Sequence, residues 1–151
     1  MDFLTGIISN RLLLAPFFAW LSAQIIKTVI FLVVNREFNP ERLLGDGGMP
    51  SSHSATVMAL VTATAINYHS DSFQFAFVCV LALIVMHDDM GVRRETGKQA
   101  KVINNMITLF NNIGSQIPAE EKLKEFVGHS PSQVAVGAIL GIVVGLITCS
   151  V

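Results

Sequence analysis

Two short segments bring together residue types that can hold and process an anion. The first is Gly47-Gly48-Met49-Pro50-Ser51-Ser52-His53-Ser54. Glycines followed by hydroxyl residues at a helix start leave backbone N–H groups pointing outward, and such a site receives phosphate. No Lys-Ser or Lys-Thr follows the glycines, so the segment is not a P-loop. His53 stands beside the expected anion, where it can donate a proton. The second segment is Gly128-His129-Ser130-Pro131-Ser132-Gln133. Taken singly, each suits an ordinary loop-to-helix junction with a capping serine. Two histidines at the mouths of two helices, each helix with a small-residue face, point instead to one shared site.

Cations and carboxylates lie in the same parts of the chain. Arg93 and Arg94 follow Gly91-Val92, and arginine grips phosphate oxygens in a bidentate way. Arg42 and Lys27 are further candidates. Lys27 sits seven residues before Val34, roughly 10 Å inside an apolar helix end. An intramembrane lysine marks a functional site by default, and Gln24 shares its helix face. Asp88 and Asp89 end an apolar run, where either carboxylate can pair with an imidazole. His87 beside them offers an alternative metal set, since imidazole and carboxylate suit several divalent ions. His69 falls in a short loop toward the other end and reads as a solvated turn residue.

These segments resemble the phosphatidic acid phosphatase type 2 family and the related vanadium haloperoxidases. That family has three motifs: a lysine followed by an arginine; Pro-Ser-Gly-His; and Ser-Arg, five residues, His, three residues, Asp. Pro50-Ser51-Ser52-His53 matches the second, with Ser52 in the glycine place. His129, followed by Pro131-Ser132 and the Gly137/Gly141 helix, matches the end of the third. The likeness is closest to the divergent branch, which also carries a segment like Gly91-Val92-Arg93-Arg94 with Gly97-Lys98-Gln99-Ala100. It covers nearly the whole chain. Three departures stand out. Gln133 occupies the usual Asp place, Leu123 the usual Arg place, and Val34 follows Lys27 where the first motif would have its arginine.

The resemblance implies a metal-independent membrane phosphatase, without a cofactor, acting on a lipid phosphate monoester. His129 would attack phosphorus and His53 would protonate the leaving alkoxide. Ser51, Ser52 and the backbone near Gly48 would hold phosphate oxygens. Arg93, Arg94, Arg42 and Lys27 would neutralise them. Asp88 or Asp89 would replace the missing histidine partner, and Asp88 is the one assigned to that role here. The partners implied are the lipid phosphate and membrane lipids, with a homo-oligomer left open. The losses in the third motif favour a rival: a non-catalytic protein that binds or moves anionic lipid headgroups.

The elements that must position these residues are helices in lipid. A span needs about 20 apolar residues, and four candidates appear: Leu12 to Val34, Ser54 to Tyr68, Phe73 to Met86, and Val134 to Val151. Pro50-Ser51-Ser52 and Pro131-Ser132 extend the second and fourth by capping chemistry. Val102, Ile103, Met106, Ile107 and Phe110 recur at helical spacing, which predicts an amphipathic helix at the interface or against the bundle, ended by Asn111, Asn112 and Gly114. Ala55, Ala59 and Ala63 line one face of the second span; Gly137, Gly141 and Gly145 line one face of the fourth. Small faces let membrane helices approach closely, so these two spans are expected to touch. The fold expected is all-α: a membrane helical bundle of about four spans plus the interfacial helix, forming a single domain over 1–151.

Composition agrees. Hydrophobic residues make up 52% of the 151 and charged residues 14%, against about a quarter charged in soluble domains. Mean hydropathy is +0.58. A net charge of −1 argues against nucleic acid as a partner. Cys79 and Cys149 lie in apolar runs, without metal or disulfide spacing. The N-terminal apolar run resumes after Lys27, so it reads as an uncleaved span rather than a signal peptide. Both long loops are basic, while Arg11 stands alone on the other side. That bias places the loops, and every motif above, on the cytoplasmic side, with the cell membrane as the expected location.

Overall fold

The computed structural model describes residues 3–36, 48–113, 123 and 128–150. Six helices follow one another: α1 (Phe3–Ile8), α2 (Arg11–Asn35), α3 (Ser52–Tyr68), α4 (Phe73–Met90), α5 (Val92–Asn112) and α6 (Pro131–Ser150). Their ends follow from local chemistry. Asn10 caps α2 by accepting from the Leu12 amide, Ser51 caps α3 and Ser72 caps α4. Pro131 takes the first position of α6, where its missing N–H is harmless.

The interior is built from the smallest side chains. Ala15, Ala19 and Ala23 of α2 pack with Ala55, Ala59 and Ala63 of α3 in one buried cluster. Gly137, Gly141 and Gly145 of α6 are buried against α3. A β carbon on Gly137 would overlap the Ser51 carbonyl oxygen, and one on Gly141 would lie 3.0 Å from the Ala55 carbonyl carbon. The expected α3–α6 contact is therefore present, backbone against backbone. Large apolar residues point outward instead, among them Phe17, Val33, Phe77, Leu83, Ile139 and Ile147. Small inside and large outside is the arrangement of helices whose surroundings are hydrocarbon.

By length and composition, three segments can cross a membrane: Arg11–Asn35, Phe73–Asn112 and Pro131–Ser150. The sequence suggests a fourth, α3. It has 17 residues, about 25 Å of helix, and it packs on α2, α4 and α6. Its Ser and Thr residues lower its apolarity, and its small face is covered by neighbours rather than lipid. The amphipathic helix is longer than its apolar periodicity suggests. α5 begins at Val92, directly after Gly91 closes α4, and so contains Arg93 through Ala100.

Chain direction sets the site. Arg11 at the start of α2 donates to the Cys149 carbonyl near the end of α6, 3.0 Å away. Hence the end of α2, the start of α3, the end of α4 and the start of α6 gather at the opposite end of the bundle.

Candidate functional site

Ser51 is the hub of that gathered end. As N-cap, its Oγ accepts the Ser54 amide at 3.2 Å and the Ser54 hydroxyl at 3.0 Å. Its own hydroxyl hydrogen goes to Asp89 Oδ2 at 2.7 Å. Its backbone N–H donates to the Gln133 carbonyl of α6 at 3.1 Å. The hydroxyl expected to hold phosphate is thus engaged in fixing Asp89. Ser52 faces the other way and accepts from Lys27 Nζ at 3.1 Å. Gly48 has φ +85, which L side chains rarely adopt, and the Lys27 stem lies against it.

Asp89 holds His129. Its Oδ1 lies 2.9 Å from His129 Nδ1, and its backbone carbonyl accepts the His129 amide at 3.0 Å. Both residues are only 2% exposed. A buried carboxylate is tolerable when each oxygen is paired, as here by His129 and Ser51. With a carboxylate acceptor at Nδ1, the neutral form of the imidazole carries its hydrogen there and a lone pair on Nε2. That nitrogen is buried and makes no hydrogen bond among the described residues. His53 approaches from α3. Its Nδ1 is 3.8 Å from Asp89 Oδ1, and its ring centroid is 6.4 Å from that of His129, at 76° between planes. His53 keeps 34% of its side chain exposed and lines a cavity of about 370 Å³ with Gln24, Ser52 and Thr56.

The remaining expected residues divide. Asp88, assigned above as the histidine partner, pairs instead with Arg93 at 3.3 Å. One residue along a helix turns the side chain by about 100°, and it is Asp89 that faces inward. Arg93 is thereby turned to Asp88, and Arg94 is exposed at the surface. Arg42 lies outside the described residues. His87 is exposed and its neighbour Asp88 points to Arg93, so the proposed His87–Asp88–Asp89 metal set is not assembled. A different trio, His53, Asp89 and His129, offers ligating atoms within 4.8 Å of one another.

Several further residues contribute in roles that the motif comparison does not assign to them. Gln133, in the usual Asp place, accepts the Ser130 amide at 2.8 Å while Ser130 Oγ receives the Gln133 amide at 3.4 Å. This is a reciprocal capping box, signalled by Ser130-x-x-Gln133. Gly128, at φ +86, lies directly on the Arg93–Arg94 backbone, so that a β carbon would overlap the Arg94 nitrogen. Asn104 pairs with both backbone groups of Leu123, at 2.9 and 3.0 Å. These contacts fasten Leu123 and Gly128 to α5.

An all-α membrane bundle with a buried histidine–carboxylate pair facing a serine-capped helix start is the class this fold and site define. Residues 8–144 match the family model described as "Divergent PAP2 family", and the chain belongs to that family. It is 39% identical over 150 residues to "Uncharacterized membrane protein YuiD" of Bacillus subtilis (strain 168), covering 93% of this chain and 95% of the relative. No solved structure matches.

Proposed function

We propose that this protein is a membrane phosphatase that hydrolyses a lipid phosphate monoester through a phosphohistidine on His129. The observation that carries this reading is the geometry of the His129 ring: Nδ1 held by Asp89 at 2.9 Å, Nε2 buried and without a hydrogen-bond partner among the described residues. Leaving such a nitrogen unpaired costs on the order of 1–3 kcal/mol. Bonding of that nitrogen to an electrophile would remove the cost. Membership of the Divergent PAP2 family supports the same chemistry.

In the first step the Nε2 lone pair forms a bond to phosphorus as the ester P–O bond breaks, and His53 gives its proton to the departing alkoxide. Asp89 stabilises the positive charge that develops on the His129 ring. In the second step His53 takes a proton from water, the water oxygen bonds to phosphorus, and the N–P bond breaks. Lys27 and the α3 N-terminus supply positive potential for the phosphate oxygens. We further propose that α3 is a fourth crossing, that the protein resides in the cell membrane, and that the site opens on the cytoplasmic side, as the basic loops indicate.

The His53–Asp89–His129 spacing favours a second reading, in which a divalent ion bridges the three. One assay separates the readings: phosphate release from lipid phosphates by purified protein, with and without EDTA, alongside His53→Ala and His129→Ala. Hydrolysis that survives EDTA and disappears in both variants is the expected result. Activity abolished by EDTA selects the metal. Headgroup binding without any release selects the non-catalytic alternative.

A further inference from the structure

The cavity beside His53 carries a polar group that the phosphatase chemistry does not use. Gln24 is 5% exposed and lines the cavity. Its Oε1 is buried without a hydrogen-bond partner among the described residues. The other walls near it are Trp20, Val57 and Val85, with Thr56. Thr56 already gives its hydrogen to the Ser52 carbonyl at 2.7 Å, so it has only lone pairs to offer.

The order of groups along α2 is informative. Lys27, Gln24 and Trp20 share one face at helical spacing: a charge, an amide, then an aromatic ring. Gln24 lies one turn from Lys27, about 4.5 Å deeper into the bundle. On the facing wall of α3, Ser52 and Thr56 are likewise about one turn apart, and Lys27 joins the two walls through Ser52 at 3.1 Å. Polarity therefore falls from the site inward, as it does along a lipid phosphate from head to chain.

Resting on the phosphatase reading, we infer that this cavity is a substrate subsite, and that Gln24 recognises a hydroxyl on the carbon adjacent to the phosphoester carbon. An acceptor left unpaired in an apolar cavity selects a group that brings a hydrogen. A hydroxyl also pairs with the amide in either of its two orientations. An esterified or unsubstituted carbon brings no hydrogen. The substrate class is thus a lipid phosphate with a vicinal free hydroxyl. 1-Acylglycerol 3-phosphates and phosphatidylglycerophosphate have one; phosphatidate and polyprenyl phosphates do not.

The test compares kcat/KM for 1-acylglycerol-3-phosphate and its 2-deoxy counterpart, in the wild type and in Gln24→Leu. Phosphatidylglycerophosphate, phosphatidate and a polyprenyl phosphate complete the panel. The expected result is a wild-type preference for the hydroxyl lipid of about tenfold, falling toward one in Gln24→Leu. The same preference should extend to phosphatidylglycerophosphate over phosphatidate; activity on only one hydroxyl lipid identifies the natural source. Equal hydrolysis of the hydroxyl and deoxy lipids by the wild type overturns the subsite while leaving the phosphatase reading intact. A preference that survives in Gln24→Leu overturns the role of Gln24. No hydrolysis of any lipid in the panel overturns both proposals.

Discussion

Asp89 grips His129 at two points: the carboxylate meets Nδ1 at 2.9 Å and the backbone carbonyl accepts the amide at 3.0 Å. The imidazole therefore has a fixed position and a fixed orientation, set by one residue at the end of α4. An amide in place of the carboxylate can still orient the ring, but it cannot stabilise an imidazolium. Asp89→Asn is expected to lower kcat by on the order of 10²–10⁴ with the fold retained. Asp88→Asn, which removes only an exposed pair with Arg93, should stay within about threefold of the wild type. Steady-state phosphate release checks both, and a larger loss in Asp88→Asn than in Asp89→Asn would reverse the assignment.

How much of this was readable beforehand depends on the residue. The Ala55/Ala59/Ala63 and Gly137/Gly141/Gly145 faces are periodic, so the α3–α6 contact follows from spacing and the physics of packing in lipid. Pro50 to His53 is a local pattern, and its placement at a helix start is local too. The choice between Asp88 and Asp89 is not local. It depends on the rotation of α4 against α3 and α6, which adjacent identical residues cannot reveal. Arg93 and Arg94 were expected at the phosphate because their type fits it, yet the type is silent about the Asp88 pairing. Gln133 is a related case: its type marks a departure from the motif at the usual Asp place but is silent about its part in the α6 cap.

The capping role of Gln133 carries its own prediction. Gln133→Ala removes one half of the capping box and should lower stability by about 0.5–2 kcal/mol, read as a fall in melting temperature in detergent. Gln133→Asp restores a carboxylate where the wider family has one. Because the side chain at 133 is turned to the Ser130 amide rather than to His129, adding Gln133→Asp to Asp89→Asn should not restore turnover. Recovery in that double variant would show that the residue before Val134 can reach the ring, contrary to the geometry.

The glycine face of α6 allows no enlargement. A β carbon on Gly137 meets the Ser51 carbonyl oxygen and, at 3.1 Å, the Ser54 β carbon; backbone cannot swing aside as a flexible side chain can. Gly137→Ala should therefore destabilise the bundle by about 1–3 kcal/mol and displace Ser51, the residue that orients Asp89. Both thermal stability and turnover should fall. Gly6→Ala, which meets nothing within 4 Å and suits a helix at least as well as glycine, is the control and should lower neither.

Among the described residues, Lys27 is the cation that reaches the serine segment, through Ser52 at 3.1 Å. It is buried, so its attraction for a phosphate is little screened by salt. Lys27→Met should raise KM for a lipid phosphate by about 10–100-fold, the value of a hydrogen bond to a charged group. Inhibition by vanadate, which mimics five-coordinate phosphorus, should weaken in parallel. Lys27→Arg keeps the charge but replaces a point donor with a planar fork in a site shaped around a narrow stem beside Gly48, so rescue should be partial. Wild-type KM should change little between low and moderate salt, whereas a phosphate held mainly by exposed arginines would give a steep dependence. Measuring KM and the vanadate inhibition constant across a salt series in wild type and Lys27→Met decides between a buried and a surface cation as the anchor.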